Sequence, residues 1–498
     1  MTTTDDATAE SNLGTYELYI DGVHRPASNG ATDERTSPAD GTLVGRYASA
    51  TEEDVDAAVA AARRAFDDTP WPRSPARQRS AILQRTAELL RAQQADIGRR
   101  ISLELGKPIR MAVGEVALTA EVFEYYAALA QDLRGESISQ HTSDALGLIL
   151  HEPVGVVAAI TPWNFPLLLL SWKVAPALAA GCTVVAKPSE LTPGSAFDLA
   201  RVLEEAGLPA GVYNVLSGDG ALLGSALTRH HGVDKVGFTG STAVGRLVLE
   251  AAGTNMKKVT LELGGKSPNI VFADANLEQA ARGAYWGAFL NTGQACQAGS
   301  RLLVQRDVHD QMVDALVEQA TKSKVGDPLD PSTMIGPLVD DKQLATVRGY
   351  LAAGQDEGAK LLCGGGAPTA EALQGGHYVE PAVFAGVTPD MRIAQEEIFG
   401  PVVSVLPFDT AEDAVRIAND SMYGLAAAVW TQDIDTALRT TRALRAGTIW
   451  VNAYHDAGLP FVMPMGGYKA SGHGRELGRE GLSAYLETKS VHIRIAKS

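Results

Sequence analysis

Short apolar runs alternate regularly with helix-length segments from Gly155 onward. The apolar runs are rich in β-branched residues and occupy positions 156–160, 183–186, 212–216 and 235–238. The segments between them are rich in Ala and Leu, a pattern typical of βαβ units in which helices cover a parallel sheet. The second half repeats the pattern, with strands expected near Ile270, Leu302 and Val403 and helices near Val313 and Ala414. The sequence therefore predicts two α/β domains that meet near Glu262.

The N-terminal part carries signals for a hairpin and two helices. Residues 16–25 alternate in the manner of a hairpin, with an Asp-Gly pair at 21–22 in the position of a type I′ turn. Thr51 followed by Asp54 predicts the capped start of a helix. A second helix is expected over 74–105, ending just before a glycine.

Composition narrows the functions open to these 498 residues. Charged residues make up 20% and the net charge is −16 without any Lys/Arg-rich run, so no nucleic-acid partner is expected. Three cysteines suit a reducing, cytoplasmic setting better than a disulfide framework. The longest apolar stretches, such as 165–170, are far too short to span a bilayer, so no membrane partner is expected. Residues 1–14 lack the pattern of a secretion signal and are expected to form a disordered tail.

Cys296 is the candidate nucleophile. It lies in the segment NTGQACQAGSR, whose small, turn-forming residues leave a thiol open to a substrate. Local positive potential is expected to help it ionise, because a free thiol is only a few per cent thiolate at neutral pH. The alternative is a buried structural cysteine, which is the role expected of Cys182 and Cys363 in their apolar runs.

The sequence around this cysteine excludes a caspase-like protease. The run QACQ at 294–297 nearly matches the caspase signature, but Ala298 replaces its final glycine. That site also needs a histidine about 50 residues upstream. The sequence has none between His231 and His309.

Two further side chains can act on a carbonyl group bound at Cys296. Glu262 ends a predicted strand and is followed by two glycines, and a carboxylate there can activate the water that breaks a covalent intermediate. Asn164 follows another strand in TPWNFP, and its side-chain N–H can stabilise an oxyanion together with the backbone N–H of Cys296. Taken singly, Glu262 is better explained as an exposed strand-end carboxylate, and Asn164 is explained equally well as a turn asparagine.

Turns after two other strands favour a nucleotide. Lys187 and Glu190 in KPSE lie just past a strand end, where open α/β sheets bind ligands, and both can contact ribose hydroxyls. A carboxylate there accepts from a 2′-hydroxyl and repels a 2′-phosphate, which favours NAD over NADP. Gly240 and Ser241 open a strand-to-helix turn whose N–H groups suit a pyrophosphate. The alternative for the KPSE turn is a solvated charged turn, the Gly-rich turn is by itself a weak signal, and no sequence motif for a catalytic metal is present.

Seven motifs occur in the order of one enzyme family. TPWNFP, KPSE, FTGS, LELGGK, GQxCxAGSR, EEIFGP and GGYKxSGxGRELG together resemble the aldehyde dehydrogenase superfamily in its NAD-dependent, hydrolytic branch. The resemblance implies oxidation of an aldehyde to a carboxylic acid through a cysteine thiohemiacetal and thioester. It implies catalytic roles for Cys296, Glu262, Asn164 and Glu476. It implies cofactor contacts by Trp163, Lys187, Ser189, Glu190, Gly240, Ser241, Gly264, Glu397 and Phe399. The substrate pocket is expected to comprise Phe165, Leu169, Trp172, Ala295, Gln297 and Phe461.

The same resemblance implies the domain organisation and the assembly. The fold class is α/β, with a Rossmann-like cofactor domain, an α/β catalytic domain and a small β oligomerisation arm. The cofactor domain is placed at 15–130 and 153–261, the catalytic domain at 262–466, and the arm at 131–152 and 480–498. A homodimer or homotetramer is expected, because the C-terminal residues alternate in polarity and such a strand needs a partner. An ordinary sheet edge is the alternative.

Departures from the family pattern surround the expected substrate entrance. The loop 453–463 is slightly longer than in well-known members, and Met465 stands where phenylalanine is frequent. His455 and Asp456 can add polarity there, so the particular aldehyde does not follow from the sequence. Two other functions stay open. One is a semialdehyde dehydrogenase that acylates coenzyme A, a branch that typically lacks the water-activating glutamate; the other is a non-catalytic binding or structural protein.

Overall fold

The computed structural model describes residues 15–139, 144–454 and 460–495. The predicted tail at 1–14 and the loop residues His455 and Asp456 lie outside the described residues. No helix of the described part is long and apolar enough to cross a lipid bilayer.

The described chain alternates strands and helices. The strands are β1 (Thr15–Tyr16), β2 (Leu18–Ile20), β3 (Val23–Arg25), β4 (Thr32–Thr36), β5 (Leu43–Ala48), β6 (Glu136–Ile138), β7 (Ala145–Pro153), β8 (Val156–Ile160), β9 (Thr183–Lys187), β10 (Tyr213–Val215), β11 (Lys235–Thr239), β12 (Lys258–Glu262), β13 (Pro268–Val271), β14 (Arg301–Gln305), β15 (Lys360–Cys363), β16 (Ala382–Ala385), β17 (Val402–Phe408), β18 (Ala426–Trp430), β19 (Thr448–Val451), β20 (Gly472–His473) and β21 (Leu486–Arg494). The helices are α1 (Glu52–Asp67), α2 (Ala76–Ala92), α3 (Gln94–Leu105), α4 (Ile109–Ala130), α5 (Pro166–Ala180), α6 (Gly194–Glu205), α7 (Gly220–Arg229), α8 (Thr242–Ala252), α9 (Leu277–Phe289), α10 (His309–Lys322), α11 (Asp341–Asp356), α12 (Arg392–Gln395), α13 (Ala411–Asn419), α14 (Ile434–Ala443) and α15 (Gly478–Ser483).

The first large sheet has the order β20-β12-β11-β8-β9-β10-β2-β3. Its five central strands run parallel, and the four apolar runs predicted in this half all form strands. Apolar side chains of α2, α4 and α5 pack on one face, and those of α1, α7 and α8 pack on the other. A parallel sheet with helices on both faces is the predicted Rossmann-like α/β architecture.

The predicted hairpin at the edge of this sheet is confirmed. Strands β2 and β3 pair antiparallel. Asp21 and Gly22 both have positive φ, at 58° and 76°, as a type I′ turn requires. The capping box that starts α1 is confirmed too, because Thr51 and Asp54 exchange side-chain to backbone hydrogen bonds.

The single helix predicted over 74–105 is wrong. Helix α2 ends at Ala92 and α3 begins at Gln94, and Gln93 between them leaves the helical region at φ −109° and ψ 12°. Its N–H still bonds to Leu89 and its carbonyl accepts from Ile97. The helix is therefore interrupted at a position where the sequence has neither glycine nor proline.

The chain passes from the first sheet to the second between Glu262 and Pro268. The second sheet has the order β15-β16-β17-β14-β13-β18-β19. Strand β20 then returns to the first sheet, where Gly472 lies opposite Glu262. This return brings the segment that contains Glu476 back to the end of β12.

The C-terminal strand finds its partner within the same chain. Strand β21 pairs antiparallel with β7, which also pairs with β6. Val491 lies opposite Leu148, and Ile493 opposite Leu146, so the alternating apolar residues share one face. Ile138, Leu150 and Ile493 of this small sheet remain 38–44% exposed.

Candidate active site

A cavity of about 480 Å³ lies at the carboxyl ends of β8, β9, β11 and β12. That volume is in the range of small-molecule sites, and this edge of a parallel sheet is where such folds bind ligands. The predicted site residues that line it are Trp163, Asn164, Leu169, Ser189, Glu190, Gly240, Ser241, Gly264, Cys296, Glu397 and Phe399. The predicted residues outside its lining are Lys187, Glu262, Glu476, Phe165, Trp172, Ala295, Gln297 and Phe461. The cavity thus joins the candidate nucleophile, the candidate oxyanion donor and most of the expected cofactor contacts.

Cys296 follows a tight turn between α9 and β14. Asn291, Thr292 and Gly293 all have positive φ, at 51°, 58° and 71°, and this turn reverses the chain before the thiol. Left-handed backbone at two non-glycine residues is uncommon and is found at sites that the surrounding fold holds in place. The Tyr454 hydroxyl donates to the carbonyl of Gln297 at 2.6 Å and so fixes the backbone on the C-terminal side of Cys296.

The positive potential predicted around the thiol is wrong. Burial raises the pKa of Cys296 to about 12, and the nearby carboxyl groups of Glu397 and Glu262 raise it further, while the backbone N–H groups of Gln297 and Cys296 lower it. Anionic neighbours disfavour a thiolate. Because these acidic residues come from distant segments of the chain, the small neutral flanks of the cysteine did not reveal them.

Asn164 is held by hydrogen bonds on both its backbone and its side chain. Its Nδ2 donates to the carbonyl oxygen of Gln294 at 3.1 Å, two residues before the nucleophile. A side-chain amide carries two N–H groups, so the second can serve a ligand in the cavity. Its backbone carbonyl accepts from Lys107 Nζ at 2.8 Å and from Asn291 Nδ2 at 3.0 Å.

Glu262 lies in a buried acidic cluster behind the cavity. Its side chain is buried, and its Oε2 has no hydrogen-bond partner among the described residues. Burial raises the pKa of Glu262 well above its usual range, Glu476 raises it further, and Lys173 and Arg475 oppose the shift. Burial therefore favours the protonated carboxyl group, and its charge in the ionised form would act on Cys296.

Lys173 links this cluster to the sheet. Its Nζ donates to Glu476 Oε1 at 2.7 Å and to Thr239 Oγ1 at 2.6 Å, and both Lys173 and Glu476 are buried. The second carboxylate oxygen of Glu476 has no partner among the described residues. The sequence analysis predicted a role for Glu476 and missed Lys173. The feature that could have identified Lys173 is its charge within the largely apolar sequence of α5.

Glu397 and Phe399 line the cavity opposite the sheet. Glu397 Oε1 accepts from the backbone N–H of Gly265 at 3.1 Å, and burial raises the pKa of Glu397 to about 7. A Cβ on Gly264 would lie 2.1 Å from Glu397 Oε2, so a glycine is required where the carboxyl group approaches the backbone. The rings of Trp163 and Phe399 meet edge to face with centroids 5.2 Å apart.

The far end of the cavity carries the predicted nucleotide contacts. Lys187 is buried, and its Nζ pairs at 3.1 Å with Oε2 of Glu190, whose side chain is half exposed. Ser241 caps α8 by accepting from the Val244 N–H. The positive end of the α8 dipole therefore faces this part of the cavity.

The donor set fits a dinucleotide. Glu190 and Glu397 bring carboxyl groups to the same cavity, which are acceptors of the kind that ribose hydroxyls need, and the α8 N-terminus at the cavity suits a pyrophosphate. The hydroxyl of Thr161, next to the cavity residue Pro162, is buried without a partner among the described residues, as expected of a group that a ligand would satisfy. Within residues 15–139, 144–454 and 460–495 no group of three His, Cys, Asp or Glu side chains could hold a metal ion.

Most of the predicted substrate pocket lies away from the cavity lining. Leu169 is its one lining member among the six. The ring of Phe165 is covered by Lys107 Nζ, 3.8 Å from the ring centroid. Gln297 Nε2 lies 3.7 Å from the sulfur of Met465, and Trp172 and Phe461 are both buried.

Comparison with known proteins identifies close relatives over the whole length. A profile of the aldehyde dehydrogenase family matches residues 25–491. An aldehyde dehydrogenase of Aspergillus niger is 45% identical over 496 residues, which cover 99% of this chain and 98% of that protein. The crystal structure of an NAD-dependent aldehyde dehydrogenase from Sinorhizobium meliloti is 46% identical with a TM-score of 0.95, covering 97% of this chain and 96% of that one. An indole-3-acetaldehyde dehydrogenase of P. syringae, solved with NAD+, is 46% identical with a TM-score of 0.94, covering 97% and 98%.

Proposed function

Because the chain belongs to the aldehyde dehydrogenase family and oxidises aldehydes with NAD, we propose that it releases a free carboxylic acid through a covalent intermediate on Cys296. The observation that carries the proposal is the placement of Cys296 and Asn164 in one cavity with the nucleotide contacts, in front of the buried Glu262. The relatives are enzymes, which removes the non-catalytic alternative.

Cys296 starts the reaction by attacking the aldehyde carbon. The thiol proton passes to solvent water, a C–S bond forms, and the carbonyl π-electron pair moves onto oxygen to give the anion of a thiohemiacetal. The second N–H of Asn164 Nδ2 and the backbone N–H of Cys296 donate to that oxygen, which stabilises the charge that develops there. The raised pKa of the thiol makes this stabilisation necessary.

The cofactor contacts orient NAD beside Cys296. We assign the binding role to Trp163, Lys187, Ser189, Glu190, Gly240, Ser241, Gly264, Glu397 and Phe399. When bound, NAD supplies the acceptor for the hydride that leaves the substrate carbon. Loss of that hydride leaves the acyl group on Cys296 as a thioester.

Glu262 completes the reaction by activating water. In its ionised form it takes a proton from water, whose oxygen attacks the thioester carbon, and the C–S bond breaks to release the acid. Glu476 and Lys173 form the buried ion pair beside Glu262, and we assign them to the path by which its proton leaves. Phe165, Leu169, Trp172, Ala295, Gln297 and Phe461 are proposed to contact the aldehyde.

Product analysis with coenzyme A tests the hydrolytic outcome. In a single turnover with aldehyde and NAD we expect the carboxylic acid as the main product, formed at the same rate with and without coenzyme A. The physical reason is that Glu262, whose charge reaches Cys296, is proposed to supply activated water to the thioester. Acyl-coenzyme A as the main product, measured by chromatography, would replace the proposal with the acylating alternative.

Glu190 is expected to set the preference for NAD over NADP. Replacing Glu190 by Gln removes a half-exposed carboxylate that repels a 2′-phosphate and frees Lys187 from its pairing at 3.1 Å. Because a charge interaction near a surface is worth on the order of 1–4 kcal/mol, we expect the ratio of kcat/KM for NAD to that for NADP to fall about tenfold or more. Steady-state rates with both cofactors measure it, with the exposed Glu34→Gln as the matched control. An unchanged ratio would remove Glu190 from cofactor discrimination.

The proposal extends to organisation in the cell. It divides the chain into a cofactor domain at 15–130 and 153–261, a catalytic domain at 262–466 and an arm at 131–152 and 480–498. The exposed apolar side chains of the arm support a homodimer or homotetramer, because a small β-sheet with apolar residues on an open face is stabilised when another subunit covers that face. The free state of all three cysteines supports a cytoplasmic location.

A further inference from the structure

Lys107 and Glu115 form a buried ion pair that the proposed reaction steps do not use. Lys107 follows α3, Glu115 lies in the second turn of α4, and the two residues are 1% and 2% exposed. Lys107 Nζ donates to Glu115 Oε2. Taking both charges out of water costs free energy that their attraction often fails to recover, and apolar replacements of such pairs are often equally stable. Stability of the fold is therefore a weak reason for a charged pair at this place.

Both partners of the pair bond to the turn that carries Asn164. Lys107 Nζ donates to the backbone carbonyl of Asn164 at 2.8 Å and lies 3.8 Å above the ring of Phe165. Glu115 Oε1 accepts from the N–H groups of Leu167 and Leu168 at 3.0 and 3.1 Å. The Lys107 ammonium group therefore fixes the two residues that precede α5. The Glu115 carboxylate accepts from the first two N–H groups of that helix.

Helix α5 has no side-chain cap of its own. Phe165 occupies the cap position without a side-chain hydrogen bond, and Pro166 at the first helical position has no N–H. The carboxylate of Glu115 therefore supplies from α4 the acceptor that a capping serine or aspartate would normally supply locally. It also places negative charge at the positive end of the α5 dipole.

The cysteine loop is tied to the same turn from the other side. Asn291 Nδ2 donates to the carbonyls of both Asn164 and Gln294, at 3.0 and 3.1 Å. Asn164 Nδ2 donates to the same Gln294 carbonyl. A displacement of the Asn164 backbone would therefore move its amide relative to the thiol in the cavity.

We propose that Lys107 and Glu115 are positioning residues that fix the Asn164 side-chain amide at the oxyanion site beside Cys296. The inference rests on the proposed function, because it needs Asn164 to donate to the substrate oxygen. The pair touches neither substrate nor cofactor and acts through the backbone of the turn.

Replacement of Lys107 by Met tests the proposal. Methionine keeps nearly the length of the side chain and removes its charge, so the Asn164 carbonyl loses the hydrogen bond from Lys107 and keeps the one from Asn291. We expect the NADH burst rate per active site to fall about 10- to 100-fold, since a 1 Å displacement at a reacting group costs rates of this order. The dissociation constant for NAD, measured by fluorescence titration, should stay within about twofold, because every assigned cofactor contact except Trp163 lies on another segment and Lys107 bonds to Asn164. Stopped-flow fluorescence, with active sites counted by thiol titration, gives the rate.

A double-mutant cycle separates positioning from general destabilisation. Asn164→Ala alone should slow the burst about 10²- to 10³-fold, as loss of one oxyanion donor does. If Lys107 acts through Asn164, then Lys107→Met should cost little more in the Asn164→Ala background. Full additivity of the two losses would overturn the proposal.

Arg79→Met is the matched control. Arg79 is buried as Lys107 is, and its Nε donates at 3.0 Å to the carbonyl of Ala179 at the opposite end of the same helix α5. This variant should lower the melting temperature and keep the burst rate per active site. A slowed burst in Arg79→Met equal to that in Lys107→Met would overturn a specific role for the pair.

The remaining outcomes separate this inference from the proposed function. If Asn164→Ala keeps the wild-type burst, the oxyanion assignment falls and the inference with it. If Asn164→Ala is slow and Lys107→Met is not, only the inference falls. Should Lys107→Met fail to fold, Glu115→Gln repeats the cycle, because its amide oxygen can still accept from Leu167 and Leu168. Failure of both variants to fold would assign the pair to stability and overturn the proposal.

Discussion

Replacing Cys296 by alanine is expected to abolish aldehyde-dependent NADH formation while the protein still folds and binds NAD. Alanine has no group that can form the C–S bond, so neither the thiohemiacetal nor the thioester can arise. The change removes one sulfur atom from a half-buried position at the cavity wall, and its effect on the free energy of unfolding should be within about 1 kcal/mol. Stopped-flow fluorescence measures the NADH burst, and calorimetric titration measures NAD binding.

The control for this variant is Cys363→Ala. Cys363 is also a free, half-buried thiol, but it lies on the edge strand β15 of the second sheet, away from the cavity. Cys363→Ala should form NADH at the wild-type rate. The thiol reagent iodoacetamide should inactivate Cys363→Ala and the wild type at the same rate. NADH formation by Cys296→Ala at more than about a hundredth of the wild-type rate would contradict the assignment, because an essential nucleophile contributes far more than that.

The sequence was sufficient to predict the parallel sheets, because their strands are nearly continuous apolar runs separated by helix-length segments. Such runs are required when both faces of a sheet are covered. The Asp-Gly turn at 21–22 and the cap at Thr51 are also local, since the residue types alone determine those dihedrals and hydrogen bonds. The break at Gln93 was not predictable in this way. Both α2 and α3 pack on α4, a long-range contact that the local sequence does not reveal, and Gln93 itself has no special backbone preference.

The same difference between local and long-range interactions explains which features of the site could be predicted. Asn164, Glu190 and Ser241 follow strands that run parallel, and the carboxyl ends of such strands meet at one edge, so their shared cavity could be anticipated. The acidic surroundings of Cys296 depend on long-range contacts with Glu397 and were anticipated with the wrong sign.

The Lys107–Glu115 pair was missed for a different reason. Glu115 lies on the face of α4 that also buries Ala112 and Val116, and a charged residue in an apolar stripe is the signal that could have found it.

Replacing Glu262 by glutamine is expected to leave the NADH burst nearly intact and to slow steady-state turnover about 10²- to 10⁴-fold, the contribution of a general base. The burst survives because attack by Cys296 does not need a base at Glu262. Hydrolysis fails because an amide cannot accept the water proton. The fold should tolerate the change, since burial and Glu476 both favour the neutral form of Glu262 and an amide matches a neutral carboxyl in shape. Burst amplitude and steady-state slope are read from the same stopped-flow trace.

The pH profile gives a second readout of the same variant. Because burial raises the pKa of Glu262, its base form increases as the pH rises through that raised pKa. The hydrolysis rate of the wild type should therefore increase with pH, and in Glu262→Gln this increase should disappear. Glu34→Gln, an exposed replacement in a surface ion pair, should keep the wild-type profile. Equal loss of burst and steady-state rate in Glu262→Gln would show that the residue acts before the thioester forms, and a retained increase with pH would place the titrating base on another group.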